Sequence, residues 1–298
     1  MSPHGYLRMR LRSLYLWLGN PEGMNDLIRG GVKFDEMAIS QTEGLDAEDE
    51  QEQQRSAVIE SEVLLHHTAE TLLRLYLIHS RLPPCPWLEL SRERDFRKFK
   101  GEVENLRARL DSGDEEKRIH QVFHINADLE RTGLSPTPTK ERWEGAATNL
   151  SRFLDFYAGY FLDSAPYNAA KHGLAMTSGD QGMELGVGAD PEPFLSRRGP
   201  AIEYLKVTRE PGARPRWERE VKWIRSKRAI PLIHLGCGFI EGIWNIGAGR
   251  YGIREPTEVK LFDHPPFEVV MTRSEVPQPG LEGIVMHRMS EGLIYHDD

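Results

Sequence analysis

The chain has 298 residues, of which 38 are Lys or Arg and 46 are Asp or Glu, giving a net charge of -8. That balance excludes a uniformly basic surface and with it nonspecific nucleic-acid binding over the whole molecule, although a local basic patch is still compatible with it. A charged fraction of 28% beside a hydrophobic fraction of 39% excludes a disordered chain, and the length accommodates one elaborated domain or two modest ones.

No uninterrupted apolar run approaches the roughly 18 residues that a bilayer-spanning helix needs. Near the start, Arg8, Arg10 and Arg12 interrupt the few apolar residues where a signal peptide requires a continuous apolar core. The expectation is a cytoplasmic protein with no membrane partner. Cys85 stands in a proline-bracketed loop and Cys237 in an apolar stretch, a pair that makes neither a disulfide framework nor a CxxC metal site.

The acidic stretch at 44–55 leads into AVIESEVLLHHTAETLLRLYLIHSR. There Val58, Leu65, Ala69, Leu72 and Tyr76 recur at helical spacing and share one face. The prolines of RLPPCPW end this helix, because they remove backbone donors and bias their predecessors away from helical torsions. A charged helix from about Leu88 to Leu110, a break at DSGD and a short helix from about Glu115 to Asp128 follow. After the GLSPTPT loop, Trp143, Ala147, Leu150, Leu154, Tyr157 and Phe161 alternate spacings of four and three, which predicts a long amphipathic helix. Pro166 then resets the chain, with Asp163 or Ser164 as N-cap of a helix starting near Tyr167.

From Gly173 the pattern becomes that of strands. GLAMTSGDQGMELGVG reads as a hairpin turning at GDQG, and AIEYLKVTREPGARPRWEREVKWI as a second one turning at EPGARP. RAIPLIHLGCGFIEGIWNIGAGRYG reads as a glycine-bearing helix in preference to a strand followed by a helix. EVKLF and FEVVM are short strand candidates. The expected class is mainly α: a helical bundle with appended β-hairpins and a further apolar helix, α+β overall. Its regions are 1–42 at the N-terminus, 43–172 as the bundle, and 173–298 as hairpins plus a helix that packs back on the bundle.

Four constellations could carry chemistry. Asn168 and His172 lie four apart near the start of the helix after Pro166, which places an amide one turn from an imidazole. Such a histidine can move protons near neutral pH; alternatively it closes the helix just before Gly173, bonding the last carbonyls. A long helical hairpin, then a helix with a polar residue followed four positions on by His, resembles the HEPN superfamily over residues 57–172. The resemblance implies a cytoplasmic homodimer that binds RNA and cleaves it without metal or cofactor, in toxin–antitoxin, defence or RNA-processing settings. It puts the motif's polar position on Asn168 and its histidine on His172, while Tyr167 stands where the motif has arginine. Lys171 or Arg152 would have to replace that arginine in steadying charge on the phosphate.

Glu62, His66 and Glu70 form a polar line beside the first apolar stripe, and His120 and His124 repeat the four-residue spacing. Facing helices of bundles build carboxylate–histidine metal sites, but from Glu-x-x-His pairs, which this chain lacks. Carboxylate-paired histidines without metal are the stronger reading. LIHLGCGFIEG echoes a nucleotide-binding glycine loop, yet only 56 residues follow Gly242, too few for the remaining sheet. Gly236, Gly238 and Gly242 instead allow close helix packing, with Trp244 and Ile246 in the core. Finally, Arg214, Arg216, Arg219, Lys222 and Arg225 interleave with Trp217 and Trp223, a pattern suited to single-stranded nucleic acid. Strand parity puts Trp217, Val221 and Trp223 on one face, which predicts that both tryptophans are core and the basic residues a solvated edge.

Two functions from different classes follow. One is a HEPN-like endoribonuclease or RNA-binding protein; the other is a noncatalytic dimerisation or protein-interaction module whose hairpins supply a docking surface.

Overall fold

In a computed structural model, the residues described are 3–19, 23, 32–34, 37–39, 47–93, 95–123, 140–172, 176–185, 195–208, 216–224, 226–252, 265–272 and 288–293. The helices are α1 (Pro3–Gly19), α2 (Ala47–Ser80), α3 (Pro86–Arg92), α4 (Phe96–Ser112), α5 (Glu116–Val122), α6 (Lys140–Leu162), α7 (Ala165–His172), α8 (Ser226–Arg250) and α9 (Phe267–Thr272). The strands are β1 (Val32–Phe34), β2 (Met37–Ile39), β3 (Met176–Leu185), β4 (Leu195–Thr208), β5 (Arg216–Trp223) and β6 (Arg288–Leu293). Mainly helical with a smaller antiparallel part is therefore the architecture. The chain divides into two units: residues 1–8, 65–164 and 231–274, and residues 9–64, 165–230 and 275–298.

The first unit is helical, and its apolar stripes are the ones the spacing predicts. Leu65, Ala69, Leu72 and Tyr76 of α2 are buried, as are Ala147, Leu150, Leu154, Tyr157 and Phe161 of α6. Rings interlock among them: Phe161 lies 4.9 Å from Phe99 of α4, and Phe153 lies 5.3 Å from Phe239 of α8. Helix α8 supplies Leu232, Ile233, Leu235, Phe239, Ile240 and Ile243 to this core, while the Tyr157 hydroxyl donates to the Leu232 carbonyl. By length and composition α8 could cross a membrane, with mean hydropathy 1.3 over its apolar window, 56% of which is buried inside the protein. Counting only uninterrupted apolar runs misses this helix, because glycines and His234 punctuate it.

Local signals set the boundaries in this unit, one correcting an expectation and one meeting it. The charged segment is two helices, because the Asp95 carboxylate accepts the backbone N–H groups of Arg97 and Lys98 and starts α4 anew. At the DSGD break, Gly113 takes φ 79°, a left-handed conformation that favours glycine and ends α4. Just beyond it, fully buried Glu115 receives the Tyr76 hydroxyl at 2.9 Å and the guanidinium groups of Arg109 and Arg118. FEVVM is not a strand but α9, whose first N–H is capped by the Asn149 side chain of α6. EVKLF and residues 124–139, including His124 and the far end of the expected 115–128 helix, lie outside the described residues.

In the second unit four antiparallel strands run in the order β3-β4-β5-β6. The second expected hairpin forms, with Ala201 opposite Trp223 and Thr208 opposite Arg216. The first does not. GDQG continues through β3 as extended chain, and Gly179 and Gly182 pair with Ala201 and Arg198 of β4. A long partner strand satisfies this backbone, so the glycines need not turn. One sheet face places Ile202 and Tyr204 against Val58 of α2 and Ala169 of α7. Alternation along the strands puts Ala201, Val221 and Trp223 on the other face, where all three are buried together.

Candidate functional site

Helix α7 carries the motif residues. Ala165 and Ala169, four apart, pack toward Ile202, Tyr204 and Val58, which turns Asn168 and Lys171 outward; both are exposed. Tyr167 is half-buried. His172 is the last residue of α7, and its side chain lies outside the described residues. Arg152 belongs to the other unit, where it forms an ion pair with Glu268 of α9. It also lines a cleft of about 230 Å³ together with Glu115, Glu116, Thr148 and Ser151.

The basic strand is largely neutralised. Arg219 pairs with Glu203 at 2.8 Å, and Lys222 pairs with Glu62 of α2 although only 14% of the lysine side chain is exposed. Arg216 stands 3.9 Å from Glu218 and is 69% exposed. Arg214 and Arg225 lie outside the described residues. On the face of this strand that carries Lys222 and Arg216, buried Glu220 accepts from the Tyr204 hydroxyl and from Lys206 at 2.9 Å. Every carboxylate in this sheet named here thus has a cation or hydroxyl beside it, which is what holding charge in a half-buried setting requires.

The shared face of Trp217, Val221 and Trp223 is buried at one end only. Val221 is 2% exposed and Trp223 5%, whereas Trp217 is 40% exposed, which corrects the expectation that both tryptophans are core. Trp223 donates its indole N–H to the Gln181 carbonyl. Trp217 sits opposite Val207, and Leu205, two residues back on the same face of β4, is 44% exposed. Sequence reasoning missed this apolar patch, because parity reports which side of a sheet a residue faces and not how far its cover extends.

The residues considered for a metal are occupied otherwise. Glu62 pairs with Lys222, Glu70 with Arg74 at 2.8 Å, and His120 lies 3.5 Å from Glu116. The buried His66 ring lies 5.3 Å from that of Phe161. Among the described residues no group of three or more His, Cys, Asp or Glu could hold a metal ion. The glycine motif lies in mid-helix within α8 and not in a turn between a strand and a helix.

No protein-family model matches the chain, and neither a curated protein nor a solved structure matches it. The fold and site define a helical protein with an antiparallel β-sheet and an exposed aromatic patch on that sheet.

Proposed function

We propose that the chain is a noncatalytic interaction protein that self-associates through the outer end of its β4–β5 sheet face. The observation that carries this reading is Trp217, a large aromatic left 40% exposed beside exposed Leu205 and half-buried Val207. Exposed apolar clusters rimmed by charge mark protein interfaces, and tryptophan is the residue most enriched at their energetic centres. Arg219 and Glu203 on the same face supply both signs of charge, so the surface is complementary to a second copy of itself across a two-fold axis. Sedimentation of the full chain over a range of concentrations tests this. A dimer whose dissociation constant rises at least tenfold with Trp217→Ser and Leu205→Ser supports the reading. A monomer at all concentrations, or a dimer indifferent to those substitutions, removes it.

A second reading is favoured by Asn168 and Lys171, both exposed on α7. It is HEPN-like RNA cleavage, with Asn168 orienting a phosphate, Lys171 steadying its charge and His172 moving protons. Cleavage of RNA by the wild type and not by His172→Ala supports it; equal activity in both, or none in either, ends it.

A further inference from the structure

Within the helical unit the end of α2, with the connector that follows it, lies along the end of α8. The buried His79 ring of the last α2 turn packs on Gly247 so tightly that a Cβ there would overlap it. The Tyr251 hydroxyl donates to the Pro83 carbonyl at 2.5 Å, and Trp87 of α3 meets Trp244 and Tyr251 edge-on at 5.9 and 5.6 Å. Between these contacts Leu82 takes φ 50°, a left-handed conformation that costs a non-glycine residue free energy and persists only while its surroundings hold it. Its N–H bonds back to the His79 carbonyl at 3.3 Å, and that of Arg81 to the Ile78 carbonyl at 3.1 Å.

Charge at this junction has one sign. Arg250 of α8 donates to the Gln121 carbonyl of α5 at 2.8 Å, while its Nη1 is buried with no hydrogen-bond partner. Burial lowers its pKa, so a single cation is already poorly accommodated there. Arg81, the next charge along the chain from His79, is taken by Glu93 and Glu102, and Tyr251 contributes an uncharged hydroxyl. Among the described residues no carboxylate offsets Arg250 at the His79 ring, whose pKa burial and then that guanidinium lower from 6.5 to about 4. A helix C-terminus ordinarily favours an imidazolium; here the two opposing effects outweigh it.

We propose that this junction is an acid-released latch: a proton on His79 sets two cations against each other, and residues 79–87 part from residues 244–251 while the remaining helical core stays packed. Opening returns the ring to water and relaxes Leu82. The open form, with an ordinary imidazole, takes up the proton first. Opening is therefore unaffected above about pH 6.5 and grows roughly tenfold per pH unit below it, until the closed form is itself protonated near pH 4.

Hydrogen exchange on the full chain tests this, with each rate divided by the intrinsic rate at the same pH. At pH 7 the Arg81 and Leu82 amides are expected to be less protected than that of Leu75 in mid-α2, which separates local opening from global unfolding. By pH 5 they are expected to lose at least tenfold of that protection in the wild type, and less than twofold in His79→Asn and in the longer replacement His79→Gln. The wild type alone can overturn the proposal, through no loss between those pH values or through one common protection for Arg81, Leu82 and Leu75. An equal loss in either variant also overturns it, because the proton would then be acting elsewhere.

Discussion

Gly236 of α8 lies so close to Thr68 of α2 that a Cβ at that position would overlap the threonine methyl. Eleven residues further along both helices, Gly247 meets the His79 ring in the same way. Eleven residues make about three helical turns, so the two segments run side by side in the same direction with glycine at each point of closest approach.

Gly236→Ala is therefore expected to destabilise the protein by about 1–3 kcal/mol, read from the urea midpoint, because the Tyr157 hydroxyl crowds the same spot and neither neighbour has room to give way. Gly101 of α4 has nothing within 4 Å of its would-be Cβ. Gly101→Ala should instead stabilise by up to about 1 kcal/mol through helix propensity and a less flexible unfolded chain.

Burial against Gly247, followed by the nearby Arg250 charge, lowers the His79 pKa from 6.5 to about 4. A depressed base takes its proton in the unfolded chain first, so stability is complete above about pH 6.5 and falls as pH drops toward 4, by up to about 1.4 kcal/mol per pH unit. Urea midpoints of the wild type should decline across that window. His79→Asn should decline less; an identical slope would assign the pH dependence to other groups.

Glu62 and Lys222 pair with side chains only 6% and 14% exposed. Removing one partner strands a buried charge, so Lys222→Met should cost about 3–5 kcal/mol. Adding Glu62→Leu should recover most of that loss, and a double-mutant cycle on thermal unfolding measures the coupling. Additive losses would show that the two charges act independently.

The two tryptophans of β5 should separate sharply. Trp223→Ala opens a cavity at a residue that is 5% exposed and strands the Gln181 carbonyl, with an expected cost of about 3–5 kcal/mol. Trp217→Ala, at 40% exposure, should change the stability of the monomer by about 0.5 kcal/mol or less. Denaturant titration with fluorescence detection checks both.

Helical periodicity was readable in α2 and α6 but not in α1, where Leu7, Leu11 and Leu14 are buried between arginines. The stripe on α2 is buried, as is that on α6 from Ala147 to Phe161, and α8 is the glycine-bearing helix its composition predicts. Residues whose conformation depends on a distant partner were not readable. Phe267 to Met271 has strand-like composition and becomes helical because Asn149, far away in sequence, caps it. Arg288–Leu293 shows no strand pattern and is a strand because it pairs along β5. For the candidate site, the spacing of Asn168 and His172 put them on one helix, which is α7, but nothing local shows that Glu268 engages Arg152 or that Glu62 engages Lys222.

What the sequence by itself determined, then, is which residues turn inward along α2 and α6 and that Trp217, Val221 and Trp223 share one face of β5, because the 3.6- and 2-residue repeats are properties of the backbone alone. Only the tertiary structure decided that GDQG stays extended, which arginines and lysines are neutralised, and where the cover over Trp217 stops. Each of those depends on contacts between residues far apart in the chain, and no local repeat encodes them.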